Sequence, residues 1–313
     1  MNPPMPTSSS SIPFDPLHRG DTVAVIAPAG PGTPEREAQL EPLFARFGLQ
    51  ARLYPSCFAR HRQYGYLAGS DELRLADLHA ALADPAVRAI FCLRGGYGCT
   101  RLLDRVDLAL VQRQRKPLVG YSDITALHAL WQRAGLMSVH APMPGSDLVL
   151  EGAEPDARAL FSLLMQPLPA GHEAAPALLP SAWRIEGRAS GRLVGGNLSL
   201  VAALVGTPWQ IETRGAIVFL EDVSEALYRV DRLLTQLRQA GLLQAAAGFL
   251  LGSFTEDEDP TAVLREHLGS LGKPVLAGWP AGHGQPNRPL LLGARVTLDA
   301  AAGRLQVDEP ALG

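Results

Sequence analysis

Apolar residues in this chain fall into short unbroken runs, and between the runs they recur with helical spacing. Residues 21–27 (Asp-Thr-Val-Ala-Val-Ile-Ala) and 89–93 (Ala-Ile-Phe-Cys-Leu) are continuous and β-rich, as in strands buried on both faces. Residues 34–47 read as a helix with Thr33 as N-cap, Pro34 at its first position and Gly48 at its close. A second short strand follows at 49–54. Residues 70–82 predict an amphipathic helix capped by Ser70, with Leu73, Leu75, Leu78, Ala81 and Leu82 on its apolar side. Helical spacing returns over 100–103 and 107–115. The run 118–121 then ends at a bend, and Ile124, Leu127, Leu130 and Trp131 start a helix that reaches Ala134. Alternating strands and helices predict a Rossmann-like, doubly wound α/β domain around a parallel sheet.

The pattern changes after about residue 142. Prolines at 142, 144, 155, 167, 169, 176 and 180 interrupt long elements, leaving one helix at 156–164. Beyond 184 the reading is a strand at 191–194, a Gly195-Gly196-Asn197 turn and a helix at 198–204. A strand at 216–220, a helix at 225–239, a strand at 249–251 and a helix at 261–268 follow. Short β segments at 274–276, 290–292, 296–298 and 304–307 end the chain. The expected organisation is a disordered tail at 1–16, an α/β domain at 17–145, a connector at 146–183 and a β-rich α+β domain at 184–313.

The chain has 313 residues, of which 47% are hydrophobic and 19% charged, with a net charge of −3. That charge leaves no electrostatic footprint for nucleic acid, and no apolar run is long enough to span a bilayer. The cysteines, Cys57, Cys92 and Cys99, are odd in number and lack a C-x-x-C spacing. They argue against a disulfide scaffold or a cysteine zinc site and suit a reducing compartment. The proline- and serine-rich start does not have the form of a secretory signal, so a cytoplasmic location is expected.

Candidate chemistry centres on Gly120-Tyr121-Ser122-Asp123. A serine at a strand-to-helix corner exposes its hydroxyl beside a backbone N–H, the geometry of a nucleophile elbow. Serine is equally a preferred helix cap. The first-domain strands would carry both Gly95-Gly96-Tyr97-Gly98 and Ser122 at their carboxyl ends, where such sheets bind ligands. A serine nucleophile needs a base, and histidine has the suitable pKa. Of eight histidines, His283 lies between glycines in a loop, where another group can approach closely. His140 ends an apolar strand and is open to a structural or a site role. An orienting carboxylate is available at Glu221-Asp222, directly after a buried run; one acid can cap a helix while the other orients. The N–H groups of Asp123 and of Gly96 or its neighbour can form an oxyanion hole. No nucleotide-binding glycine fingerprint follows a strand.

Taken in order, these blocks resemble the LD-carboxypeptidase family, the serine peptidases of bacterial murein recycling. The resemblance runs from Gly20-Asp21 and the first strand through Arg94-Gly95-Gly96-Tyr97-Gly98 and Gly120 to Thr125. It continues through Gly195-Gly196-Asn197-Leu198, Leu220-Glu221-Asp222-Val223 with Asp231-Arg232, and Gly282-His283 with Asn287 and Gly293. It implies Ser122 as nucleophile, His283 as general base and Glu221 as the acid that orients it. It further implies Gly96 and Asp123 as backbone oxyanion donors, with Tyr97 and Asn197 near the substrate. Ala141 departs from the glycine expected in the His-Gly-Pro-Met block. The implied reaction is hydrolysis of the bond before the terminal D-alanine of a murein tetrapeptide, by a homodimer and without metal or cofactor. Two alternatives remain: a microcin C immunity-type hydrolase of aminoacyl-adenylate analogues, for which Trp183 would offer an aromatic platform, and a non-catalytic small-ligand-binding protein. Arg94, Arg101 and Arg288 are all candidates for pairing with the substrate's terminal carboxylate.

Overall fold

Two sheets build the molecule, a computed structural model that describes residues 11–255 and 258–311. The first has six strands in the order Leu290–Leu292, Ser138–His140, Leu118–Gly120, Val87–Cys92, Thr22–Ile26 and Gln50–Leu53. All neighbours are parallel except Leu290–Leu292, which runs antiparallel to Ser138–His140. The chain steps outward from Thr22–Ile26 to Gln50–Leu53, then resumes on the opposite side with Val87–Cys92. In doubly wound sheets a crevice opens at such a reversal, beyond the strands' carboxyl ends. Here the loops after those two strands meet, with the Gly30 N–H donating to the Gly95 carbonyl at 3.0 Å. Val23 to Ala27 and Ala89 to Leu93 have no exposed surface, so their unbroken apolar runs reflect burial on both faces.

The second sheet has eight strands, with a parallel centre of Arg188–Asn197, Ile217–Val223, Gly248–Thr255 and Val275–Ala277. Antiparallel strands flank it: Arg184–Ile185 on one side, and Arg295–Asp299, Arg304–Val307 and Glu173–Ala174 on the other. The α+β reading of the second half therefore holds, around a parallel centre.

Several boundaries differ from expectation. The tail expected over 1–16 falls partly outside the described residues. From Ser11 onward the chain is packed: Ile12 bridges Leu136, and Phe14 is buried because it completes the apolar side of the first sheet. The stretch expected as a connector does hold its expected helix, at Glu154–Met165, but that helix packs onto the first domain, its Phe161 ring 5.7 and 6.0 Å from those of Phe44 and Phe91. Residues 290–292, assigned to the second half, form an edge of the first sheet, with Leu290 opposite His140. Buried apolar clusters accordingly run through both sheets. The helix expected over 34–47 is two pieces, Pro34–Glu37 and Leu40–Arg46, and the Thr33 side chain makes no capping bond. Ser70 does cap its helix, accepting from the Leu73 N–H at 3.3 Å.

Candidate active site

The strand Leu118–Gly120 ends in a short 3₁₀ turn, Ser122–Ile124, which leads into the helix Thr125–Arg133. Ser122 stands at this corner with φ +63°, in the left-handed region that costs a residue with a Cβ about 1–2 kcal/mol. The cap reading is corrected here. Tyr121 occupies the N-cap position and neither side chain closes the turn, so the Ser122 hydroxyl is left without a hydrogen-bond partner among the described residues. His128, one turn and more along the helix, braces the strand end. Its Nε2 lies 2.8 Å from the Gly120 carbonyl and its Nδ1 2.8 Å from the Ser138 hydroxyl. Because a carbonyl only accepts, the network assigns the proton to Nε2.

Gly95 sets how closely the neighbouring loop approaches. A Cβ built there would lie 2.8 Å from the Ser122 Cβ and 2.9 Å from its Oγ. The Gly96 and Asp123 N–H groups, both expected as oxyanion donors, are not taken up by hydrogen bonds among the described residues. The buried Asp123 carboxylate accepts the Cys99 N–H at 2.8 Å and so ties the glycine loop to the serine turn. Burial pushes its pKa up, against the pull of its hydrogen bonds. Beneath both loops lies Arg74, fully buried and bonded to the Pro28 carbonyl and to Asp71.

The second sheet supplies the acid. Glu221 and Asp222 lie within the strand Ile217–Val223, rather than after it. Glu221 has no exposed surface, and its Oε2 is 2.7 Å from His283 Nδ1 and 3.2 Å from the His283 backbone N. The neighbouring loop is pinned from several sides. Asn287 Oδ1 accepts the Gly282 N–H at 3.0 Å, and Ser253 Oγ accepts the Gly284 N–H at 2.8 Å. Gly282 has φ +110°, and a Cβ there would stand 2.6 Å from Glu221 Oε2. Burial pulls the His283 imidazole down, but Glu221, aided by Asp222 and Asp147, outweighs it and holds the pKa above the ordinary histidine value.

Tyr121 joins the two halves of the site. Its ring lies 4.8 Å from that of His283, and its hydroxyl donates to Asp147 Oδ1 at 2.9 Å. Asp147 also accepts from the Met143 N–H and the Ser146 hydroxyl, both at 2.8 Å. His140 packs edge-on to Tyr121 and Phe219, wholly buried, and burial holds it well below the ordinary pKa. Asp222, the acid next to Glu221, serves the framework instead. It accepts the Ser199 N–H and hydroxyl at 2.9 and 2.8 Å, at the start of the helix Leu198–Ala203.

Asn197, expected near the substrate, is held within the framework by both ends of its amide. Only 3% exposed, its amide donates to Asp222 at 2.8 Å while its Oδ1 accepts from the Leu200 N–H at 3.2 Å. Its backbone N–H donates to Thr125 Oγ1 at 3.0 Å, tying the second sheet to the serine helix. Tyr97 projects from the glycine turn and is 45% exposed. Sequence reasoning misses the contributions of Gly95, Asp147 and Ser253; the one available signal is a Gly252-Ser253 pair interrupting an apolar strand. Among the described residues, no three or more His, Cys, Asp or Glu side chains gather so as to hold a metal ion. No helix among them is long and apolar enough to cross a membrane.

Comparison with known proteins identifies the family. Residues 23–141 match the family description of an LD-carboxypeptidase N-terminal domain, and residues 190–298 that of an LD-carboxypeptidase C-terminal domain. The chain is 38% identical to a probable murein peptide carboxypeptidase of Bacillus subtilis, over 91% of each protein. It is 34% identical to a murein tetrapeptide carboxypeptidase of Pseudomonas aeruginosa, over 88% of this chain and 92% of that one. The solved muramoyltetrapeptide carboxypeptidase of Oxalobacter formigenes superposes with a TM-score of 0.79 at 28% identity, covering 91% of this chain and 97% of that one. The microcin C7 self immunity protein MccF shares the fold, with a TM-score of 0.85 at 22% identity over 96% of this chain and all of that one. With both domain descriptions matched in order and relatives aligned along nearly its whole length, the chain belongs to the LD-carboxypeptidase family.

Proposed function

We propose that this protein is a serine LD-carboxypeptidase that removes the terminal D-alanine of murein tetrapeptides by cutting the bond between an L-configured centre and that residue. The observation that carries the proposal is the pairing of His283 Nδ1 with the buried Glu221, with the imidazole 4.8 Å from the ring of Tyr121, the residue that directly precedes a strained Ser122 whose hydroxyl is unengaged among the described residues. Glu221 accepts a hydrogen bond from Nδ1–H, which leaves Nε2 free to act as base. Ser122 Oγ attacks the scissile carbonyl as His283 takes its proton. The tetrahedral oxyanion is held by the N–H groups of Gly96 and Asp123. His283 then protonates the departing D-alanine amine, and water, activated by the same imidazole, releases the shortened peptide and restores Ser122. The names of the Bacillus and Pseudomonas relatives support murein peptide as the substrate class. The family resemblance supports a homodimer.

Purified protein incubated with murein tetrapeptide is expected to yield tripeptide and free D-alanine, resolved by chromatography. Ser122→Ala should release none; D-alanine release at the wild-type rate from that variant would overturn the reading. Activity on aminoacyl-adenylate analogues is less well supported. Trp183, the aromatic platform expected for it, is only 8% exposed, with the Arg265 guanidinium 4.7 Å from its ring centroid. A purely ligand-binding role leaves the Glu221–His283 pair and the Ser122 strain without a use.

A further inference from the structure

Resting on the carboxypeptidase reading above, we infer that Arg94 receives the terminal carboxylate of the substrate. Arg94 directly precedes Gly95, the residue packed against Ser122, at the mouth of the crevice where the first sheet reverses. Its Nε lies 3.4 Å from where a Cβ on Gly30 would stand, so the absence of a side chain at Gly30 makes room for the guanidinium.

The guanidinium is left short of partners. Nε is buried with none, and the one contact of Nη1 is the Pro31 carbonyl at 3.5 Å, the far limit of a hydrogen bond. Among the described residues no carboxylate pairs with it. A partly buried cation without a counter-charge is costly, and a planar guanidinium matches a carboxylate through two parallel N–H bonds. The site therefore holds an unmatched positive charge shaped for such an anion.

Placement and elimination agree. In a substrate cut before its last residue, the carboxylate carbon lies on the order of 4 Å from the scissile carbonyl carbon. Its receptor must therefore border the nucleophile. The rival cations are engaged elsewhere. Arg101 grips Asp71 with contacts of 2.8 to 3.0 Å, and Arg288 holds the Pro155 carbonyl at 2.9 Å and Asp156 at 3.5 Å. Arg36 is bonded to the Gly145 carbonyl at 3.1 Å.

The test uses two tetrapeptides, one ending in D-alanine and one in D-alaninamide, with wild type, Arg94→Gln and Arg94→Lys. Wild type is expected to favour the free carboxylate by about 10- to 100-fold in kcat/KM, the range of a charge-assisted pair. Arg94→Gln should bring that ratio near one, mainly through KM, and Arg94→Lys should restore part of it. Indifference of the wild type to the amide would overturn the assignment without recourse to any variant. So would a preference fully retained in Arg94→Gln. If wild type cleaved neither peptide, the carboxypeptidase reading itself would fall, and this inference with it.

Discussion

Glu221 Oε2 accepts from both the ring and the backbone of His283, at 2.7 and 3.2 Å, so one buried oxygen fixes where the imidazole sits and which nitrogen carries its proton. Glu221→Gln is isosteric but presents an amide where a charge was. It should lower kcat by about 100- to 10,000-fold, as loss of the orienting carboxylate does in other triads. Catalysis needs neutral His283, so kcat/KM should rise with pH through a midpoint above the ordinary histidine value of about 6.5. Glu221→Gln should move that midpoint down. The stability term has the opposite sign: with its folded pKa raised, the pair contributes fully below about pH 6.5 and loses its contribution as pH rises past the folded value. A midpoint unmoved by the substitution would detach Glu221 from the base.

Ser122 holds φ +63° at the serine corner. Ser122→Ala and Ser122→Gly should both be inactive, but only glycine accepts that backbone without strain. The glycine variant should exceed the alanine variant in stability by about 1 kcal/mol, even though glycine loosens the unfolded chain more. Denaturant unfolding of the two side by side measures this. An alanine variant as stable as the glycine one would argue that the corner is unstrained.

Two glycines act by what they leave out. A Cβ on Gly95 would press to 2.8 Å from the Ser122 Cβ, and one on Gly282 to 2.6 Å from Glu221 Oε2. Gly95→Ala and Gly282→Ala should each lower kcat by about 100-fold or more, because a shift of about 1 Å in a reacting group costs that much. Gly95 has no positive φ, so its variant should lose stability through the clash alone; Gly282, at φ +110°, should lose it through clash and backbone strain together and melt lower. Steady-state kinetics beside thermal melts separate the two cases.

How much of this was legible differs from residue to residue. The strand, bend and helix around Ser122 could be read from apolar spacing alone, because each element is short and buried. Its left-handed backbone could not, since nothing local distinguishes a strained serine from a capping one. Glu221 and His283 lie far apart in the chain and meet only through the parallel pairing of the second sheet and the pinned loop, so spacing left them open and the family resemblance singled them out. The packing of 290–292 on the first sheet is not legible, because three leucines carry no mark of which sheet they will join. Asp147 was hidden in a proline-rich stretch read as linker, although it anchors the Tyr121 hydroxyl.

Asn197 distinguishes framework from substrate contact. Its amide and carbonyl are both spent, on Asp222 and on the Leu200 N–H. Asn197→Ala should therefore destabilise the fold by about 1–2 kcal/mol, through the lost cap and an Asp222 oxygen left short of a donor. KM should stay close to wild type. A large rise in KM with unchanged stability would return Asn197 to the substrate.

His128 governs the acid side of the stability curve. Burial pulls its pKa down to about 4, against a small upward pull from the Gly120 carbonyl. The unfolded chain binds this proton near pH 6.5, so between about 6.5 and 4 the unfolded state holds more protons and stability falls with pH. The contribution is complete above about 6.5, and roughly 3 kcal/mol of it has been lost by pH 4. His140, also buried and depressed, acts in the same direction. His128→Gln can still donate to Gly120 but has no proton to gain. It should be less stable than wild type at pH 7.5, and the gap should narrow by up to roughly 3 kcal/mol as pH falls towards 4. Denaturant unfolding of both proteins at pH 7.5, 6 and 5 reads that gap directly, and a constant difference across the series would assign the acid sensitivity to other groups.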